Sequence, residues 1–158
     1  MERMTTQQTN LSAIIVPPGQ GLALADGEAH VTVKASAEST MGAFTALECV
    51  LAPSRSGPPP HRHSQACETY QVLEGELTLL MGERTATIGP GNLAFVPLGV
   101  AHAFSNDASK PVRFLVVMAP GGYDDYLLQL ASLLAERGSP LPPEVAQELM
   151  ERFDILLA

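Results

Sequence analysis

Three histidines and one glutamate are the residues of this chain best suited to bind a metal ion. His61 and His63 are separated by one residue, Glu68 follows five positions after His63, and His102 lies about forty residues further along. Alternate residues of an extended strand point to the same face, so the imidazoles of His61 and His63 would lie side by side. Three imidazoles and one carboxylate suit Fe, Mn, Co, Ni, Cu or Zn, and they leave open positions on an octahedral ion. The spacing therefore predicts one divalent transition metal in a catalytic type of site.

The segments that would position these side chains have the pattern of short β-strands. Each is rich in apolar residues and is followed by a turn signal of Gly, Pro or Asn. The predicted strands cover residues 13–16, 31–35, 42–51, 69–73, 77–81, 84–88, 93–96, 101–105 and 112–118. Strands of this length and spacing indicate an antiparallel sandwich or barrel. A barrel would allow the strand of His102 to approach His61 and His63.

The periodicity becomes helical near the C-terminus. Apolar residues fall at helical spacing in Tyr123, Tyr126, Leu127, Leu130, Leu133 and Leu134. Gly138 predicts the end of this helix, and Pro142-Pro143-Glu144 predicts the start of a second one. The apolar faces either pack on the barrel or on a partner subunit, or form a lid over the barrel mouth. We predict a leader with an edge strand over 1–30, a β-barrel domain over 31–120, and a helical extension over 121–158.

Composition and charge exclude several classes of partner. The net charge of −8 argues against a nucleic acid and against an anionic membrane surface, because both require clustered basic residues. The apolar run over 11–16 is too short for a signal peptide, and no apolar stretch is long enough to span a bilayer. We therefore expect a soluble, cytoplasmic protein. Cys49 and Cys67, the two cysteines, are predicted to be reduced thiols.

Two segments carry a family resemblance. Residues 57–75, GPPPHRHSQACETYQVLEG, resemble the first cupin motif, with His61, His63, Glu68 and Gly75 at its fixed positions. Residues 91–106, GNLAFVPLGVAHAFSN, resemble the second motif, with Gly91, Pro97, Gly99, His102 and Asn106 at its fixed positions. One position departs from the pattern, since Arg55 stands where the first motif usually begins with Gly, and the nearest glycine is Gly57. The resemblance implies an all-β fold, a double-stranded β-helix or jelly-roll barrel, with the ion inside it and a short α-helical C-terminal extension.

The helical tail is similar to the C-terminal extensions of some quercetin-dioxygenase-like cupins. This similarity implies a metal-dependent oxygenase that acts on a small aromatic or enolic molecule. Glu68 would either bind the metal or act as general base, and Tyr70 is a second candidate for proton transfer. Two alternatives stay open, because fold does not fix function. They are a non-redox isomerase or lyase, and a module that binds a small molecule without turnover.

Strand alternation predicts the residues of the substrate pocket. If Glu68 and His102 face inward, residues two and four positions along their strands do so too. The predicted pocket consists of Phe44, Tyr70, Val72, Met81, Phe95, Phe104 and Met118. We also expect a homodimer, because exposed edge strands need to be covered. The remaining histidine, His30, is predicted to be an ordinary surface or core residue.

Overall fold

The chain folds into two antiparallel β-sheets followed by two helices. The computed structural model describes residues 12–25, 29–138 and 140–158. The strands are β1 (Leu22–Ala25), β2 (Ala29–Ala35), β3 (Thr45–Leu51), β4 (Arg55–Ser56), β5 (His61–Arg62), β6 (Cys67–Glu74), β7 (Leu77–Met81), β8 (Arg84–Ile88), β9 (Leu93–Val96), β10 (His102–Asn106), β11 (Val112–Ala119) and β12 (Leu156–Leu157). The helices are α1 (Tyr123–Arg137) and α2 (Pro143–Arg152). Within the described ranges, no helix has the length and apolar character needed to cross a membrane.

The two sheets face each other across one apolar core. The first has the strand order β1-β2-β3-β11-β6-β9, and the second has the order β12-β5-β10-β7-β8, with β4 also paired to β10. Burial alternates strictly along β3 and β11, so every second side chain enters the core between the sheets. The predicted all-β jelly-roll fold with a short helical extension is confirmed.

The N-terminal edge strand was predicted at the wrong place. Residues 13–16 form no strand, and β1 begins instead at Leu22. Ile15 is 93% exposed, so the apolar run that suggested a strand has no sheet to pack on. The two-residue strands β4 and β12 were not predicted, because they are defined by pairing with distant segments and not by a local pattern.

The start of the helical extension is anchored to the barrel by a buried carboxylate. Asp124, in the first turn of α1, is 5% exposed. Its oxygens accept hydrogen bonds from Ala37 N at 3.2 Å and from Thr45 Oγ1 at 2.6 Å, and Thr45 Oγ1 accepts one from Gly122 N. A carboxylate in the first turn also suits the helix dipole. The extension therefore packs on its own barrel from its first turn onward.

The end of the extension returns to the barrel as well. Tyr126, Leu149 and Ile155 form a second small apolar cluster beneath the two helices. Strand β12 then pairs antiparallel with β5, so that Leu157 lies opposite His61. Both ends of the extension are thus attached to the barrel. The second attachment is made to β5, called the histidine strand below because it contains His61 and leads into His63.

Candidate metal centre

The four predicted metal ligands converge at one place inside the barrel. Pairing of β5 with β10 places His61 opposite His102, and His63 follows just after β5. Glu68 approaches from β6 in the facing sheet. One ligand atom from each of the four residues lies within 4.8 Å of the others, and all four side chains are buried. Strand pairing in one sheet and packing of the facing sheet thus bring together the four ligands that the sequence spacing predicted.

Each imidazole is oriented by a main-chain carbonyl. The Nδ1 atoms of His61, His63 and His102 lie at hydrogen-bond distance from carbonyl oxygens, which only accept hydrogen bonds. The acceptors are, in the same order, Pro59 at 2.9 Å, Asp154 at 2.7 Å and Val100 at 3.0 Å. Nδ1 therefore carries the proton in the neutral rings, and the lone pair on Nε2 points into the site. This is the tautomer that a metal-binding histidine requires.

The Nε2 atoms of two of these rings face the carboxylate of Glu68. His102 Nε2 lies 2.7 Å from Glu68 Oε2, and His63 Nε2 lies 3.5 Å from Glu68 Oε1. Both Nε2 atoms are nevertheless buried without a hydrogen-bond partner. Lone pairs that converge on carboxylate oxygens repel each other unless a proton or a cation lies between them. The donor set and its unsatisfied atoms fit a divalent transition metal.

Burial and charge shift the pKa values of the site in opposite directions. Burial raises the pKa of Glu68, but the adjacent imidazoles of His102 and His63 outweigh this effect and hold the pKa well below the usual range. Burial lowers the pKa of His61. Burial also lowers the pKa of His63, but the adjacent carboxylate of Glu68 raises the value above the usual one. Glu68 is therefore ionised at every pH at which the protein is expected to work.

Metal affinity should depend on pH through these histidines. A protonated imidazole cannot bind a metal, so affinity is lost as the pH falls through the pKa of His63, which lies above the ordinary value of about 6.5. We expect the affinity for Zn²⁺ to fall by about tenfold per pH unit for each ligand that protonates. Chelator competition between about pH 5 and pH 8 measures this dependence. An affinity that is flat over this range would contradict the assignment of histidines as ligands.

An apolar cavity of about 350 Å³ extends from the metal centre to helix α1. The side chains that line it near the centre include His61, Glu68 and Tyr70, and the helix contributes Tyr123, Tyr126, Leu127 and Leu130. Burial raises the pKa of the Cys49 thiol to about 12, so this wall residue is uncharged. No Lys or Arg is present among the described residues that line the cavity. Besides the metal centre, the polar residues of the lining are His30, Ser56 and the tyrosines, and the rest of the lining is apolar.

The predicted pocket did not include the residues of α1, although a helical lid over the barrel mouth was one of the alternatives left open. The spacing of Tyr123, Tyr126, Leu127 and Leu130 predicted an apolar face but not the surface it would meet. The structure places this face over the cavity, so α1 both packs on the barrel and closes one side of the pocket. Two tyrosines at the start of an amphipathic helix were the available signal.

Five of the seven predicted pocket residues lie in the barrel core or pack against it, and they form two groups. Tyr70 and Phe104 line the cavity. Val72 and Met118 are buried in the core, and Met81 packs against it, but none of the three lines this cavity.

Phe44 and Phe95 were assigned to the pocket wrongly. Phe95 is 57% exposed, because the alternation along β9 turns Ala94 and Val96 inward. Phe44 is 38% exposed and precedes Thr45, the first inward residue of β3. The alternation was correct in both strands, but the sequence did not show which of the two faces enters the barrel.

Comparison with known proteins agrees with the motifs. The family model described as "Cupin domain" matches residues 47–118. Quercetin 2,3-dioxygenase from Bacillus subtilis (strain 168) is 24% identical over 148 residues, which are 90% of this chain and 40% of that protein. The chain thus spans less than half the length of this relative.

Solved structures show the same architecture. A sugar phosphate isomerase of the cupin superfamily from Silicibacter pomeroyi DSS-3 has 25% sequence identity and a TM-score of 0.52, over 58% of this chain and 59% of that one. A predicted oxalate decarboxylase from Thermotoga maritima has 24% identity and a TM-score of 0.56, over 60% of this chain and 83% of that one. The two motifs, the two-sheet barrel and the matched family model thus agree that residues 47–118 resemble a cupin domain.

Proposed function

We propose that this protein is a metal-dependent oxygenase that acts on a small, uncharged aromatic or enolic molecule. The observation that carries the proposal is a donor set of three histidines and one glutamate, of which His61 and Glu68 line a largely apolar cavity. Pockets of this kind orient a ligand through a few polar groups while the rest of its surface is buried against apolar walls. A substrate with one acidic hydroxyl and a planar apolar body fits this distribution.

The aromatic side chains suit a planar substrate. The Tyr70 ring lies 5.8 Å from the Phe104 ring, and the Phe104 ring lies 5.3 Å from the Phe114 ring. All three line the cavity. Tilted and edge-to-face contacts between aromatic rings favour a further ring packed among them. These walls would hold the substrate with its hydroxyl at the metal centre and exclude water from the reacting end.

Glu68 is the group that would take the substrate proton. A redox-capable divalent ion, when bound, supplies acidification of the substrate hydroxyl and one-electron chemistry with dioxygen. Glu68 Oε2 accepts a hydrogen bond from the Tyr70 hydroxyl at 2.6 Å, which orients the carboxylate. Burial and the charge of Glu68 raise the pKa of Tyr70 well above its usual value, so Tyr70 stays a donor. Tyr70 thus holds Glu68 in place, whether Glu68 binds the ion or carries the proton.

Two comparisons support different reactions. The similarity to quercetin 2,3-dioxygenase supports the oxygenase, while the similarity to a sugar phosphate isomerase supports a non-redox reaction. A phosphate group is usually bound by Arg, Lys or a helix N-terminus. The described cavity lining offers neither Arg nor Lys, and this favours an uncharged substrate. A module that binds without turnover is the third possible outcome.

Oxygen uptake tests the proposal. The metal-free protein is loaded separately with Fe, Mn, Co, Ni, Cu or Zn and supplied with flavonols and dihydroxylated aromatics. We expect oxygen consumption with at least one redox-capable metal and none with Zn. Glu68→Gln should reduce turnover by about 10²–10⁴-fold, the usual contribution of a general base. Turnover without oxygen in the Zn form would instead support an isomerase or lyase, and thermal stabilisation by these compounds without turnover would support a binding module.

We also propose that the protein is a cytoplasmic homodimer. Strand β9 is an edge of its sheet in the described structure, and Leu93 and Phe95 are exposed on it. Edge strands with exposed apolar side chains are usually covered by another chain or segment.

A further inference from the structure

We propose that the C-terminal hook, defined as residues 154–158, positions the metal ligand His63, with Asp154 as the positioning residue. Docking of the hook and binding of the metal are then two coupled equilibria. The inference rests on the metal site of the proposed function, but not on the oxygenase reaction. The hook brings no ligand atom to the site, so its effect is exerted through the histidine strand.

Asp154 accepts three hydrogen bonds from the segment that contains His63. The main-chain oxygen of Asp154 accepts from His63 Nδ1 at 2.7 Å. Its carboxylate accepts from Ser64 Oγ at 2.6 Å and from Gln65 N at 2.7 Å. These two hydrogen bonds lower the pKa of Asp154 against the opposing effect of burial, so the carboxylate is charged and accepts strongly. A single residue thus fixes both the imidazole and the turn that follows it.

His63 differs in this respect from the other two histidines. His61 and His102 bond to carbonyls only two positions away, so their ring orientation is set locally. The acceptor for His63 lies 91 positions further along the chain. Among the three imidazoles, His63 is therefore the one whose orientation depends on a distant segment being docked.

The backbone of the hook is shaped to present this acceptor. Asp154 has φ of 58°, a left-handed conformation that Asp and Asn tolerate better than most residues. The following residue, Ile155, is 2% exposed in the apolar cluster beneath α1 and α2. Beyond it, β12 pairs with β5, and Ala158 N donates to Pro60 O at 3.0 Å. The hook therefore spans the histidine strand on both sides of His61 and His63.

These contacts couple binding of the metal to docking of the hook. Loss of a hydrogen-bond partner that orients a metal-bound histidine typically lowers metal affinity by about 10–100-fold. Linkage is reciprocal, so the metal must strengthen docking of the hook by the same factor. Helix α1, which lines the cavity, belongs to the same extension. Attachment of the cavity wall and orientation of His63 are thus served by one continuous segment.

Metal affinity of Asp154 variants tests the inference. Affinity for Co²⁺ and Zn²⁺ is measured by chelator competition at pH 8, with thermal melting of each metal-free variant as a check of the fold. Asp154→Ala keeps the carbonyl that accepts from His63, but it removes the carboxylate bonds to Ser64 and Gln65 and the left-handed preference that present this carbonyl. We therefore expect the carbonyl to be displaced and the affinity to fall by up to about 10–100-fold. Asp154→Asn keeps the left-handed preference and one acceptor oxygen, so it should lose less. Glu148→Ala, which removes the same charge from an exposed position on α2, should bind as the original protein does.

Two further readouts separate positioning from simple stabilisation. Nitrogen chemical shifts should show His63 with its proton on Nδ1 in the metal-free protein and a mixture of tautomers in Asp154→Ala. Amide exchange at residues 155–158 should slow when Zn²⁺ is added to the unmodified protein, and this readout remains if Asp154→Ala does not fold. Unchanged affinity in a folded Asp154→Ala, or exchange that Zn²⁺ does not alter, would overturn the inference. So would an unmodified protein that binds neither ion, whereas metal binding without oxygen uptake would count only against the oxygenase.

Discussion

Replacement of His102 by alanine should remove most of the bound metal. His102 is 1% exposed, its Nε2 faces Glu68, and its strand joins the halves of the site. Losing a direct ligand should cost more than the roughly 10–100-fold that follows loss of an outer partner. It also leaves Glu68 with one fewer positive or metal-bound neighbour in a buried position, which raises its pKa and weakens the remaining ligands. The same reasoning applies to His61→Ala.

Elemental analysis of protein purified under identical conditions measures the effect. His30→Ala is the matched control for metal content, because it removes a histidine that lies outside the four-residue cluster. Neither ligand belongs to the apolar core cluster, so we expect both ligand variants to retain β-sheet circular dichroism. Full metal content in His61→Ala and His102→Ala would refute the site.

Replacement of Asn106 by alanine should produce the largest loss of stability among the motif positions. Asn106 is fully buried at the end of β10, and its amide group makes four hydrogen bonds. Nδ2 donates to the carbonyls of Leu51, Ala52 and Lys110, and Oδ1 accepts from Ala108 N. Its removal leaves several buried groups without partners, and we expect a loss of about 3 kcal/mol in the free energy of unfolding.

Urea unfolding of the metal-free protein measures this loss without a contribution from the ion. Asn92→Ala is the matched control, because Asn92 is exposed and its side chain makes one local hydrogen bond, to Gly89 O. We expect it to lose less than about 1 kcal/mol. Equal losses for the two variants would show that Asn106 does not connect the ends of β3 and β10.

Asn106 makes long-range hydrogen bonds that its sequence motif does not predict. An Asn at the end of a strand commonly closes its own turn by bonding to nearby backbone, and the bond from Ala108 N to Oδ1 is of that local kind. The bonds to Leu51 and Ala52 span more than fifty positions and connect separate strands. No local pattern encodes such a contact, because its partner is chosen by the packing of the two sheets.

The glycines near the two motifs also divide into those with a local role in a turn and one with a long-range packing role. Gly75 and Gly99 have φ of 80° and 78°, as expected from turns that favour glycine. Gly57 has a different role, since a Cβ there would lie 2.3 Å from the ring of Phe104. It leaves room for an aromatic wall of the cavity, and β4 forms beside it although Arg55 departs from the motif. Only the folded barrel reveals this close approach.

The sequence by itself determined the strand pattern, the two motifs and the four candidate ligands, because these depend on residue type and on spacing within short segments. Alternation identified two faces for every strand, but the facing sheet decided which one is buried, and so Phe44 and Phe95 lie outside the pocket. The tertiary structure alone decided that α1 lines the cavity and that Asp154 orients His63. Asp154 and His63, like α1 and the cavity, are far apart in the sequence and meet only when both segments pack on the same core. The sequence of either segment alone therefore cannot show the contact.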